Sequence, residues 1–106
     1  MMQDDFVKIA EDQLDHCMRV MGGKSAEYAR GGDKLHNFKR AAQVAGNSPE
    51  EALLGMALKH YVSILDIVDD AVAGKKDAPP EVLREKFGDW INYMLLLMAL
   101  LLERQS

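Results

Sequence analysis

The chain of 106 residues has one cysteine, Cys17, so no disulfide can form within it. It has three prolines, two of them adjacent at Pro79 and Pro80, and few β-branched residues. Strand signals are missing, and with them any Gly-rich phosphate loop of the kind that follows a strand. Positive charge is not in excess, since 13 Lys and Arg stand against 17 Asp and Glu, for a net charge of −4. A mildly acidic domain lacks the electrostatic footprint for coating nucleic acid. The small basic group Lys34, Lys39 and Arg40 reads as a solvated helix face. The longest apolar stretch, Ile91 to Leu102, has about 12 residues where a bilayer crossing needs about 20. The opening MMQDDFVKIAED is acidic and shows no secretory pattern, so a cytoplasmic location is expected.

What is present favours helix. Hydrophobic residues make up 48% and charged residues 28% of the chain, which suits a folded globule and excludes wholesale disorder. Ala, Leu, Met, Glu and Lys are plentiful, and all are good helix formers. The length fits one domain, residues 1–106. Phe6, Ile9, Ala10, Leu14, Cys17 and Met21 recur at three- and four-residue steps, which predicts a first helix from about Asp5 to Met21 ended by Gly22 and Gly23. Ser25 to Arg30 reads as a helical turn closed by Gly31 and Gly32.

Asp33 is a good N-cap for a second helix reaching Ala45, with Leu35, Phe38, Ala41, Ala42 and Ala45 inward. Ser48-Pro49-Glu50-Glu51 is a strong helix start. It predicts a third helix from Pro49 to about Ala73 with Leu53, Ala57, Tyr61, Ile64, Leu65, Val68 and Val72 inward. Pro79-Pro80 launches a fourth helix to about Arg104. Four helices with short loops read as an all-α, antiparallel four-helix bundle.

The fourth helix is amphipathic up to Asn92 and apolar on every side beyond Tyr93. A helix apolar all round is buried all round. A single four-helix chain does not usually cover one of its helices completely. A homo-oligomer, a dimer or higher, is therefore expected, joined through the C-terminal helix.

Glu85, Asp89 and Asn92 are spaced by four and three residues and share one helical face. Two carboxylates and an amide can hold Mg²⁺, which prefers oxygen ligands. On the third helix Lys59, Ser63, Asp66 and Asp70 form a line with His60 at its edge. Asp66 or Asp70 is placed to complete a metal site with Asp89, and Lys59 or His60 to meet phosphate oxygens. Each stripe also reads as a solvated helix flank. His16, His36 and His60 form no pair at metal-binding spacing, which speaks against zinc. Cys17 falls among apolar positions and reads as a small core residue. The connector carries Lys24, Glu27, Tyr28, Arg30, Asp33, His36 and Asn37 within about fourteen residues. It reads either as the lining of a pocket or as an ordinary solvated turn with its caps.

Taken together, Lys24-x-x-Glu27-Tyr28, Asp33-x-Leu35-x-Asn37-Phe38, Lys59-His60 and Asp89-Trp90-Ile91-Asn92-Tyr93 followed by leucines resemble a bacteriophage and prophage family, the nucleotide-modification-associated domain, type 1. The resemblance spans about residues 16 to 104. It implies a phage origin and a link to nucleotide metabolism. The last helix is also similar to the final helix of MazG-type all-α nucleoside triphosphate pyrophosphatases, which bind Mg²⁺ through acidic pairs. Lys86 stands three residues before Asp89, where that family carries glutamate.

Two functions follow as expectations. One is nucleotide binding by Lys24, Glu27, Tyr28, Asn37, Lys59 and His60, extending to Mg²⁺-dependent pyrophosphatase-like hydrolysis with Asp66, Glu85, Asp89 and Asn92 as metal ligands. The other is a non-enzymatic phage accessory protein that binds a host or phage protein through helical surfaces. In both, nucleic acid and membrane are not the partners.

Overall fold

A computed structural model describes residues 1–22 and 30–106. Among them are four α-helices and no strand: α1 (Gln3–Gly22), α2 (His36–Ala45), α3 (Pro49–Val72) and α4 (Pro80–Gln105), with a 3-10 turn at Arg30–Gly32 before α2. The all-helical expectation holds, and so does the position of each helix. No described helix is long and apolar enough to cross a membrane.

The helix ends follow local chemistry. Ser48 caps α3, its Oγ accepting from the Glu51 amide at 3.1 Å while the Glu51 carboxylate accepts from the Ser48 amide at 3.2 Å. Pro79 precedes α4 and Pro80 occupies its first position, where a missing N–H costs nothing. Asp33 acts one turn earlier than expected. Its Oδ1 accepts from the Leu35 amide at 3.0 Å, and the helix itself begins at His36. Gly46 ends α2 at φ 74°, where its N–H reaches the Ala42 carbonyl at 2.8 Å.

The packing runs α1 on α4, α4 on α3 and α3 on α2. The directions are readable from paired residues. Glu50 meets Arg104 and Tyr61 meets Trp90, so α3 and α4 are antiparallel. Gln13 donates to the Arg84 carbonyl and Cys17 to that of Gly88, so α1 and α4 run parallel with a constant offset. The antiparallel expectation therefore describes α3 and α4 but not α1 against α4. In effect α1 covers the first half of α4 and α2 the second.

The core lies at the α2 end. Leu35, Phe38, Leu53 and Leu100 are buried together, with Met56, Tyr93, Leu96, Leu97 and Ala99 packed against them. Three ion pairs brace that end. Arg104 makes a bidentate contact with Glu50, and Lys39 bridges Asp33 at 2.9 Å and Glu103 at 2.6 Å.

Several residues expected inside are outside. Phe6, Ile9 and Leu14 on α1 are exposed, as are Tyr61, Leu65, Val68 and Val72 on α3 and Ala45 on α2. On α3 the expected inner stripe merged two: Leu53, Ala57 and Ile64 face the core, and the others lie beside them on open surface. The tail run is mixed rather than sealed. Leu100 is buried, Met94 to Leu97 are half-buried, and Met98, Leu101 and Leu102 are exposed.

Candidate functional site

Four polar residues, Lys34, Asn37, Asp89 and Asn92, meet where α1 ends, α2 begins and α4 passes its midpoint. Lys34 ties the two ends together, its Nζ donating to the carbonyl of Met21 in the last turn of α1 at 2.7 Å. A charged donor there satisfies a carbonyl that the helix leaves open and suits the negative end of its dipole. Behind this tie lies a cavity of about 380 Å³ lined by Val20, Met21, Lys34, Asn37, Phe38, Asp89, Asn92, Tyr93 and Leu96. That volume falls within the range of small-molecule sites, and the mixture of apolar walls and few polar groups is theirs too.

Asn92 is the buried polar residue of the chain's described core, 8% exposed, and its Oδ1 accepts no hydrogen bond from the described residues. An acceptor buried without a donor costs about 1–3 kcal/mol. Beside it the Asp89 carboxylate is about one-third exposed and lies 3.4 Å from His60 Nδ1. The His60 ring in turn lies on Tyr93 with centroids 5.0 Å apart. Phe38 meets Tyr93 edge-on, with ring centroids 6.3 Å apart. The cavity thus offers acceptors on its α4 side and an aromatic corner.

Of the expected nucleotide-binding residues, Asn37 is an exposed part of this cavity's lining, and His60 adjoins it through Asp89 and Tyr93. Lys59 and His60 line a second groove, between α2 and α3 with Ala41, Gly55 and Met56, which shares Tyr93 with this cavity. Lys24, Glu27 and Tyr28 lie outside the described residues. Of the expected metal ligands, Asp89 and Asn92 line the cavity. Asp66 faces a separate groove with Asp70, Lys76 and Lys86, and Glu85 is exposed. Among the described residues no three His, Cys, Asp or Glu side chains gather as a metal-holding group. The reason is geometric. Asp66 pairs along the α3–α4 hairpin with the level of Val82 and Lys86, whereas Asp89 pairs with the level of His60.

The flanking ionisable groups are tuned for structure. Lys39 is held above its ordinary value by its hydrogen bonds to Asp33 and Glu103, and Asp33 is held below its own, chiefly by Lys39. Burial pushes the Cys17 thiol up, and its Sγ lies 3.8 Å from the Gly88 carbonyl. Cys17 is a core residue, as expected, and is kept protonated and poorly nucleophilic.

Sequence reasoning passed over Phe38 and Tyr93 as site residues. A signal was present: Asn37-Phe38 and Asn92-Tyr93 each set an asparagine before an aromatic, and the fold brings both pairs to one cavity. Val20 and Met21 carried no such signal, because nothing local marks the end of α1 as a pocket wall. No family model, curated protein or solved structure matches the chain.

Proposed function

We propose that the chain is a small helical binding protein that takes a nucleotide, holding its base in the cavity between α1, α2 and α4. The observation that carries this reading is the unpartnered Oδ1 of Asn92 at the wall of a cavity of about 380 Å³. A base edge supplies N–H donors, which Oδ1 and the Asp89 carboxylate can accept. The ring system itself suits the corner made by Phe38 and Tyr93. The resemblance to a nucleotide-associated phage family supports the same ligand class, and with it a phage origin. Hydrolysis with Mg²⁺ belongs to this reading as its extension, with Asp89 and Asn92 nearest the ligand. Asp66, which lines a separate groove, weighs against it.

Calorimetric titration with a panel of nucleosides and nucleotides, with and without Mg²⁺, tests the proposal. Saturable heat is expected with at least one of them. Asn92→Leu is expected to weaken that binding about 10- to 100-fold, since a ligand donor loses its acceptor in a desolvated site. Absence of heat with every common nucleotide overturns the reading.

A second reading, binding of a host or phage protein, is favoured by a different observation. Large apolar side chains lie open along three helices, among them Phe6, Ile9, Leu58, Leu65, Met98 and Leu102. Recovery of one defined partner from host lysate, lost on polar substitution of these residues, supports it. Recovery of the chain alone under several conditions counts against it.

A further inference from the structure

The chain exposes 7645 Å² of surface. A compact monomer of its mass, 11.9 kDa, exposes about 5,950 Å². The excess is about 1,700 Å². Its radius of gyration of 15.9 Å likewise exceeds the roughly 13 Å of a compact domain of this length. A stable interface of standard size takes about 800 Å² from each partner, so the excess is ample for one.

The excess is not spread at random. On α3, Leu54, Leu58, Tyr61, Leu65, Val68 and Val72 succeed one another at steps of four and three residues, and every one is exposed. Within this stripe 54, 61 and 68 repeat at seven residues, and so do 58, 65 and 72, which is the period of a helix seam that meets another helix. None of the six is charged, as the centre of a protein interface requires. The stripe reaches α4 through the Tyr61–Trp90 ring pair, with centroids 5.1 Å apart.

We infer that this α3–α4 face is where a second copy of the chain docks, so that two hairpins form one four-helix bundle about a two-fold axis. A two-fold pairing sets the same patch against itself, and a long uncharged stripe is complementary to its own copy. The seam therefore runs along α3 rather than along the leucine-rich tail of α4, where Leu100 is buried and Met94 to Leu97 are half-buried within the chain itself. The dimer leaves the cavity of Asn92 free, because α2 and the end of α1 border that cavity and take no part in the stripe.

Sedimentation equilibrium of the wild-type chain across a broad concentration range tests this directly. The expected mass is twice 11.9 kDa. A single-chain mass at every concentration, or a larger closed assembly, overturns the inference. Leu58→Glu with Leu65→Glu is expected to raise the dimer Kd by a factor of about 100 or more, with helical circular dichroism retained. Leu102→Glu, on the exposed tail, is expected to leave the dimer intact. A dimer that survives the α3 pair and is broken by the tail variant overturns the placement of the seam. Trp90 gives a reading without any substitution, being the single tryptophan of the chain. Its emission is expected to shift to the red on dilution, in step with the fall in mass. Emission that stays constant while the mass halves also overturns the placement.

Discussion

Along α4, the half before Asn92 and the half after it are held to the rest of the chain by different means. After Asn92, large side chains interlock: Leu53 and Leu100 are buried with Leu35 and Phe38, and ion pairs of Lys39 and Arg104 close the end. Before Asn92, α1 lies close against α4 through small and polar groups. Cys17 sits on Gly88, and Gln13 donates to the Arg84 carbonyl at 2.9 Å, while Phe6, Ile9 and Leu14 stay exposed. Apolar burial scales with area, so the first arrangement supplies most of the stability and the second mainly positions α1. A fold can thus keep one end as its anchor and use the other to shape a cavity wall.

The largest expected effect comes from the anchored end. Leu53 is 0% exposed, and Leu53→Ala is expected to cost about 2–5 kcal/mol in a denaturant melt of the whole chain. The next tests the thin contact. A Cβ at position 88 would lie 3.0 Å from Gln13 Nε2 and 3.3 Å from His16 Cδ2, so Gly88→Leu pushes α1 off α4 at a cost of about 1–3 kcal/mol. Cys17 then becomes the reporter: unreactive toward a thiol reagent in the wild type, it is expected to label readily in the variant, while the melt of the anchored end persists. Loss of helix throughout the variant would erase the proposed difference between the two halves.

At the boundary, Asn92→Leu replaces an unpartnered buried acceptor by an apolar side chain. The ligand-free protein is expected to gain about 1 kcal/mol, in the opposite direction to the loss of nucleotide binding. The smallest effect is acid sensitivity at the braced end. Arg104 holds the Glu50 carboxyl below its ordinary value of 4.5, and Lys39 does the same for Asp33, whose ordinary value is 3.8. A depressed folded value means stability that is full above the ordinary value and is lost as pH falls through the folded one. Thermal melts are therefore expected to drop below about pH 4.5 in the wild type and to drop less steeply in Arg104→Ala.

Helix positions were legible because caps are local. Ser48, Pro49 and Glu51 state the start of α3 within four neighbouring residues, and Gly46 states the end of α2. Which face each helix buries was less legible. On α3 more than half the circumference is apolar, so periodicity could not separate Leu53, Ala57 and Ile64 from Tyr61, Leu65 and Val68. The parallel setting of α1 on α4 depends on contacts about seventy residues apart, such as Gln13 with Arg84, which no local pattern encodes. At the cavity, Asp89 and Asn92 stand out in the sequence because they directly precede the apolar run, and Asn37 because it belongs to the polar connector. Asp66 lies in a different groove because the register of the α3–α4 hairpin, a tertiary property, sets it opposite Lys86.

The cavity wall is shared between the last turn of α1, at Val20 and Met21, and the start of α2, at Asn37 and Phe38. The bond from Lys34 Nζ to the Met21 carbonyl at 2.7 Å spans the two. A lysine that holds two helix ends at a fixed spacing works as a strut, so the width of the opening is set in the empty protein before any guest arrives.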